Sequence, residues 1–559
     1  MTLLWHLLAA DLRRHRMALV GWQIVIGATS TLEAISPLLG ADDAVRASTG
    51  LLRNLLWLTE LLFTALLVPM VIQTHSLVGS NAFWMTRPIR PHLLMASKAI
   101  LLLGAMVGVP VVARIAVMAL YHVPAGDILA VSVDSTLYRT LWLTAVAVIA
   151  SLTPSVARFA LVLGGVLIAV ATVLAIATAV ALAGIEHDTP TIGSMGVPDP
   201  TTEVVFVVLL IAGGVALLLV QYRMRARVRA VMVGAAGVAI AMGVAAVWPW
   251  PLLAQRLEAP LWAATSARSR LMADADTVIA RAQTEGTSAR GRWRSVDARV
   301  FIEGLEPGWA GQIILREATL KIPGRGVLVS APYGVGPVTA RNSALNPVHE
   351  AVRAELGVQR LADTHTMTER PSILTVRDSD FAPVESMSGV YRGRFQVVPT
   401  RYAIEARLPL RAGAIHQEGA YRLVIASVDF FSGIPVVEVL ESDATTILDR
   451  TPAPQRTYYL RNTQRSEAIA GTADAFQVDW AFIPGVHASG SSLGFSARRL
   501  AVEFPVHDSL PEAPFSVDQH WLEGAELVVV RATQAESFER TLEIPDFPLR
   551  VEPRVPPAQ

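Results

Sequence analysis

The sequence predicts an α-helical polytopic membrane domain of about six to seven transmembrane helices, followed by an all-β, sandwich-like soluble domain. Hydrophobic residues make up 52% of the 559 residues and charged residues only 17%, whereas soluble proteins carry about 25% charged residues. The deficit in charge lies almost entirely before residue 250. After about residue 292, apolar and polar residues alternate, which is typical of half-buried strands.

The first element, residues 1–16, is predicted to be an amphipathic helix at the membrane interface. Its apolar start precedes the charges of Arg13, Arg14 and Arg16, which is the wrong order for a secretory signal. Trp5 is expected to lie in the headgroup layer, where tryptophan is favoured.

Seven apolar segments follow, each of about the length that a bilayer requires. The fourth is the weakest, because it begins near Arg139 and is joined to the fifth by the short turn at residues 154–158. The predicted spans are 17–38, 55–78, 99–121, 138–156, 159–184, 203–221 and 229–248.

The charges that flank these segments predict their orientation. One set of flanks is rich in arginine, at residues 13–16, 87–98, 158 and 223–229, and the alternate set is acidic. Positive charge collects on the cytoplasmic side of membranes. We therefore expect a cytoplasmic N-terminus in a cell membrane, the inner or plasma membrane of a bacterium. An odd number of spans then places the C-terminal domain outside.

Three ionisable residues, Glu33, Glu60 and Arg114, lie within the predicted spans, away from their ends, at similar depths below the outer surface. Charges buried in a bilayer usually pair with one another. We expect Glu60 to pair with Arg114, with Glu33 nearby. Such a group either holds the helices together or lines a polar path for a substrate.

Residues 249–290 are predicted to form a helical stalk or linker, and residues 291–550 an extracytoplasmic β-rich domain of one or two sandwiches. Strand-like runs separated by turn residues support this reading, with a boundary between sandwiches near residues 400–415. The proline-rich tail, residues 551–559, is predicted to be disordered.

The sequence predicts no catalytic, metal or cofactor site. The chain has no cysteine, and its formal net charge of zero gives no support for nucleic-acid binding. His349-Glu350 lacks the second histidine of a zinc-protease helix, because position 353 is arginine. Residues 490–494 match Gly-x-Ser-x-Gly, but a strand pattern follows instead of the helix that a nucleophile elbow needs.

The segment from Gly79 to Pro91, which reads GSNAFWMTRPIRP and leads to Lys98, resembles the first cytoplasmic loop of ABC-2-type transporter permeases. The resemblance covers residues 1 to about 228, and its most specific part is the Thr-Arg-Pro sequence. It implies that residues 1–16 are the elbow helix of that family. It also implies that the loop couples the membrane domain to an ATPase through Thr86, Arg87, Pro88, Arg90 and Lys98.

A separate ATP-binding subunit is the partner that this resemblance implies. A P-loop needs Gly-Lys followed by Ser or Thr, and the two lysines of the chain, Lys98 and Lys321, follow Ser97 and Leu320. Membrane lipid and a second permease, as a homodimer or heterodimer, are further expected partners. The chain departs from the family by its seventh span and C-terminal domain. An alternative is therefore a non-transporting anchor or sensor that presents the β domain, and a membrane-bound enzyme is a more remote one.

Overall fold

The structure is a computed structural model, and its described residues fall into an N-terminal helical half and a C-terminal half that is largely β. They are 2–39, 43–74, 90–166, 168, 172, 200–224, 227–247, 268–282, 293–330, 345–362, 372–385, 387–431, 434–445, 455–473, 494–504, 515, 517–534 and 538–549. The predicted disordered tail at 551–559 and most of the predicted span at 159–184 lie outside them.

Eight helices are described in the first half. They are α1 (Thr2–Ile35), α2 (Asp43–Gln73), α3 (Pro91–Leu102), α4 (Val109–Leu120), α5 (Ala125–Leu152), α6 (Val156–Val166), α7 (Pro200–Met224) and α8 (Arg227–Val247). A short 3-10 turn, Ser36–Leu38, extends α1, and a π-helical segment, Leu103–Gly108, joins α3 to α4.

Among the described residues, five helical stretches are long and apolar enough to cross a membrane, which indicates a membrane protein. They are Leu3–Leu38, Ser48–Gln73, Pro91–Leu120, Ala125–Leu152 and Val204–Met224. Two shorter apolar helices, Val156–Val166 and Val228–Val244, overlap the fifth and seventh predicted segments.

The separate interfacial helix predicted for residues 1–16 is wrong, because α1 is continuous from Thr2 to Ile35. Its 34 residues would extend about 51 Å, well beyond the roughly 30 Å hydrocarbon core. No glycine or proline interrupts the sequence between Trp5 and Val20. A helix that begins near the N-terminus therefore has no physical reason to stop at Arg16.

The fourth predicted span begins too late. Helix α5 starts at Ala125 rather than at residue 138, after Pro124 at its N-cap and with Asp127 in its first turn. Proline and an acidic residue both favour a helix start. Asp127 and Asp134, which belong to the acidic flank expected between the third and fourth spans, therefore lie inside this helix.

A side chain of α1 forms a hydrogen bond with the backbone of the π-helical segment. In a π-turn the carbonyl of Ala105 would accept a hydrogen bond from the residue five positions later, but that residue is Pro110, which has no N–H. The indole Nε1 of Trp22 donates to this carbonyl instead, at 3.2 Å. Trp22 is completely buried, so the α1 side chain satisfies a backbone group of the third span.

Helices α7 and α8 pack backbone to backbone at two glycines. A Cβ added to Gly213 would lie 3.1 Å from the Cα of Gly237, and one added to Gly237 would lie 2.9 Å from the Cα of Gly213. Small residues at such crossings let membrane helices approach closely. The packing makes α7 and α8 an antiparallel hairpin.

Sixteen strands are described in the second half. They are β1 (Arg270–Ala282), β2 (Trp293–Glu303), β3 (Trp309–Ile322), β4 (Gly326–Val329), β5 (Arg360–Ala362), β6 (Ser372–Arg377), β7 (Ser388–Pro409), β8 (Ile415–Glu418), β9 (Tyr421–Phe431), β10 (Ile434–Thr445), β11 (Gln455–Asn462), β12 (Glu467–Ala470), β13 (Thr472–Ala473), β14 (Gly494–Glu503), β15 (Ala525–Gln534) and β16 (Phe538–Pro548). Short helices are Leu345–Leu356, Asp378–Phe381 and Gln519–Glu523, with a 3-10 turn at Ala382–Val384.

The helical linker predicted for residues 249–290 is wrong over its described part. Residues Arg270–Ala282 form strand β1, which pairs antiparallel with β2 from Arg270↔Glu303 to Ala282↔Arg294. The scattered leucines of this region suggested a helix. Pairing with the neighbouring strand overrides that weak local pattern.

Two sandwich cores share one long sheet. The eight-stranded sheet follows the order β4-β3-β7-β15-β11-β12-β5, with β16 also paired to β7. The sheet β1-β2-β6 packs on one part of it, and the sheet β13-β14-β10-β9-β8 packs on another. The 22-residue strand β7 runs from one core into the other. The predicted boundary near 400–415 is therefore not a linker, because β7 continues to Pro409.

Candidate functional site

The helix bundle has two chemically different ends. The arginine-rich end carries exposed arginines from helix starts, helix ends and turns, namely Arg13, Arg14, Arg16, Arg90, Arg158 and Arg223. At the opposite end, here called the sheet end, the ends of α1 and α4 and the start of α5 contact the five-stranded sheet.

The arginine-rich end encloses a polar cluster, which comprises Asp11, His15, Thr74 and Lys98. Lys98 Nζ lies 2.7 Å from Asp11 Oδ2, with side-chain exposures of 3% and 4%. His15 Nε2 lies 3.1 Å from the Thr74 hydroxyl. The contacts join α1 to α3 and to the residue that follows α2. Gln73 extends the polar region to α5, by donating to the carbonyl of Thr153 at 3.2 Å.

Lys98 is not the accessible coupling residue that the resemblance implied, because it is buried against Asp11. Sequence reasoning missed Asp11 and His15. The signal was present: Asp11 and His15 continue, at helical spacing, the buried stripe of Leu19, Trp22 and Ile26 on α1. Polar residues on such a stripe point into the bundle.

The other residues predicted to face an ATPase divide into exposed residues and residues outside the described ranges. Arg90 is exposed as the N-cap of α3. Thr86, Arg87 and Pro88 lie outside the described residues. The predicted interfacial residues Trp5, Arg13, Arg14 and Arg16 are all exposed along the start of α1.

The predicted Glu60–Arg114 pair is wrong. Glu60 Oε1 instead lies 2.6 Å from Arg139 Nη1, which links α2 to α5. Arg139 was placed at the outer end of a span because the start of α5 was predicted 13 residues too late. The correct start places Arg139 within the helix, level with Glu60.

Arg114 binds the β domain instead. Its Nη2 donates to the backbone carbonyl of Phe495, the second residue of β14, at 3.2 Å. Arg114 lies six residues before the end of α4, or about 9 Å along the helix. Glu33 is close enough to attract its charge. The start of β14 therefore lies deeper in the helix bundle than the end of α4.

Apolar packing surrounds this contact and defines the junction between the two halves. Tyr121 and Phe495 have ring centroids 5.2 Å apart, and Val117, Met118, Val131 and Ala444 are buried with them. Two further hydrogen bonds reach helix-end carbonyls: Gln417 donates to His122 at 2.9 Å and Arg422 to Tyr121 at 3.2 Å. The five-stranded sheet is thus seated on the helices.

A buried charge network lies on the other face of β10. Arg456 contacts Glu405 at 2.6 Å, Glu441 at 3.2 Å and Asp443 at 2.9 Å, and stacks over the ring of Tyr421 at 3.9 Å. Burial lowers the pKa of Arg456, but the hydrogen bonds to Glu405 and the nearby acidic charges outweigh burial and raise that pKa above its ordinary value. The network fixes β10 against β7 and β11, behind the face that meets the helices.

No group of three or more His, Asp or Glu residues among the described positions is arranged to hold a metal ion. His349 and Glu350 lie on the short helix Leu345–Leu356, where Arg353 pairs with Glu350. No family model, curated protein or solved structure matches the chain. The site residues therefore have to be interpreted from their own chemistry.

Proposed function

We propose that the chain is a permease-like subunit of an ABC-type transport system, driven by a separate ATPase chain. The observation that supports this most is the Asp11–Lys98 ion pair. Helix α3 begins at Pro91, at the end of the segment that resembles an ATPase-coupling loop. A force on that segment would move α3, and the buried pair would carry the movement to α1.

The proposed topology has seven spans and a cytoplasmic N-terminus in the inner or plasma membrane of a bacterium. The exposed arginines at one end of the bundle suit the cytoplasmic side. The β domain then lies outside. The absence of a P-loop in the sequence makes ATP binding the task of another polypeptide, and the chain itself catalyses no reaction in this proposal.

A pair of permease domains, as a homodimer or with a related chain, completes the proposed transporter. The test is co-purification of the tagged protein in mild detergent, with identification of bound proteins by mass spectrometry. The test variant carries Arg87→Glu and Arg90→Glu. The control carries Arg325→Glu, an exposed arginine in the turn before β4.

We expect an ATP-binding protein to be recovered with the wild type and with the control. The double charge reversal should abolish its recovery. If no ATP-binding protein is recovered, or if the charge reversal does not change its recovery, the proposal is wrong.

The second candidate is a non-transporting anchor or sensor that presents the β domain. The seating of the five-stranded sheet on α4 and α5 favours it, because a firmly docked sheet holds the domain at a fixed position over the membrane. This function needs no ATPase, so the same co-purification distinguishes the two candidates.

A further inference from the structure

A cavity of about 410 Å³ lies at the junction, between the sheet end of the helices and the five-stranded sheet. Ala34, Leu38 and Leu120 form its helical wall, and Arg422, Leu440 and Ser442 belong to its sheet wall. The cavity is distinct from the buried Asp11–Lys98 cluster, which lies at the other end of the bundle.

Arg422 gives this mostly apolar cavity a positive charge. Its Nη1 donates to the carbonyl of Tyr121, and its Nε is buried without a hydrogen-bond partner among the described residues. No described carboxylate forms an ion pair with it. Ser442 lies directly opposite Arg422 in the β9–β10 pairing, and so places a hydroxyl beside the guanidinium.

The cavity lies at the depth where the apolar helices end. Leu38 is the last residue of the first membrane-length stretch, and Leu120 is the last of the third. Their side chains are 61% and 69% exposed, although each lines the cavity. A bilayer around the helices would place its headgroup layer at this level.

We propose that the cavity binds the headgroup of an anionic membrane phospholipid. Arg422 would hold the phosphate through charge-assisted hydrogen bonds, Ser442 would donate its hydroxyl, and an acyl chain would lie along Leu38 and Leu120. A zwitterionic headgroup brings a cationic nitrogen that needs an anion, and the described residues of the cavity lining include no carboxylate. This inference does not depend on whether an ATPase drives the chain.

The test is native mass spectrometry of the full-length protein released from detergent. The protein is titrated with phosphatidylglycerol or with phosphatidylcholine of the same acyl chains. The variants are Arg422→Gln, Arg422→Lys and the control Arg325→Gln. Size-exclusion chromatography and circular dichroism check that each variant is folded.

Wild type and Arg325→Gln are expected to retain phosphatidylglycerol about tenfold better than phosphatidylcholine, because both lipids offer a phosphate but only phosphatidylcholine adds a cation, which Arg422 repels. Arg422→Gln should abolish the preference and Arg422→Lys should keep most of it. Equal retention of the two lipids, or a preference that survives Arg422→Gln, would overturn the proposal. So would loss of the preference in folded Arg422→Lys, or displacement of the lipid by millimolar inorganic phosphate, which would indicate a site for free anions.

Discussion

Lys98 and Asp11 form an ion pair, 2.7 Å long, between two membrane-length helices, and both side chains are at least 96% buried. The pair joins the third span to α1 at the arginine-rich end. Removal of one partner leaves the other charge buried without compensation, which costs about 3–5 kcal/mol.

We therefore expect Asp11→Ala to lower the free energy of unfolding by about that amount. The double variant Asp11→Leu, Lys98→Met should recover most of the loss, because an apolar pair has no charge to desolvate. Glu350→Ala is the matched control: it breaks the exposed Glu350–Arg353 pair and should cost at most about 1 kcal/mol. Unfolding in mixed micelles measures all three, and equal losses for Asp11→Ala and Glu350→Ala would contradict the account.

Substitution of Gly494 tests how the β domain packs on the helices. Its φ is +101°, and an added Cβ would lie 2.8 Å from Arg114 Nη2. Gly326 has the same φ, but nothing lies within 4 Å of its Cβ position. Alanine at either position should cost about 1–2 kcal/mol for the left-handed backbone, and only Gly494→Ala should also disturb the junction.

A cysteine pair introduced at His122 and Gln417 reports how the sheet packs on the helices, because the chain has no cysteine of its own and the Gln417 side chain donates to the His122 carbonyl at 2.9 Å. Cross-linking of the pair by a short bis-maleimide should be slower with Gly494→Ala and unchanged with Gly326→Ala. The same rate in both would mean that Gly494 does not control the junction.

Trp22 is expected to stabilise the helix bundle through its hydrogen bond as well as through apolar packing. Trp22→Phe removes the donor to the Ala105 carbonyl and leaves a buried acceptor unsatisfied, which costs about 1–3 kcal/mol. Trp57→Phe changes a side chain that is 45% exposed and should alter stability by less than about 0.5 kcal/mol. Thermal unfolding in one detergent compares the two variants.

Alkaline pH should destabilise the β domain through its buried tyrosines. Burial raises the pKa of Tyr402 from 10 to about 12, and burial also raises the pKa of Tyr391. The unfolded chain loses its phenolic protons first, so stability is constant below about pH 10 and falls as the pH rises towards 12.

Tyr402→Phe should make that decline shallower, by up to about 1.4 kcal/mol per pH unit. Chemical unfolding followed from pH 8 to 12 measures the slope. Parallel wild-type and variant curves would show that Tyr402 does not contribute to the decline.

The sequence was sufficient to predict the division into apolar helices and a β-rich half, because hydrophobic run length and alternation are local signals. It was not sufficient to predict which charges pair. That depends on the exact start of α5, and an error of 13 residues moved Arg139 away from Glu60. The strand β1 was missed because its partner β2 stabilises it more than its own sequence does.

The site was predicted least well where polar residues continue an apolar stripe. Asp11 and Lys98 lie on faces that point into the bundle, so their environment is set by packing between α1 and α3. The docking of β14 on Arg114 joins residues 381 positions apart in sequence, and no local pattern in either segment indicates it.

Photocrosslinking in intact cells tests the proposal that the segment before α3 binds an ATPase. A photoreactive amino acid replaces Arg87 in one variant and Arg325, in the β domain, in the other. We expect an adduct with an ATP-binding protein at position 87 and none at position 325. If that adduct is absent at position 87 while the protein is present in the membrane at its normal level, this segment does not bind an ATPase and the proposed coupling is wrong.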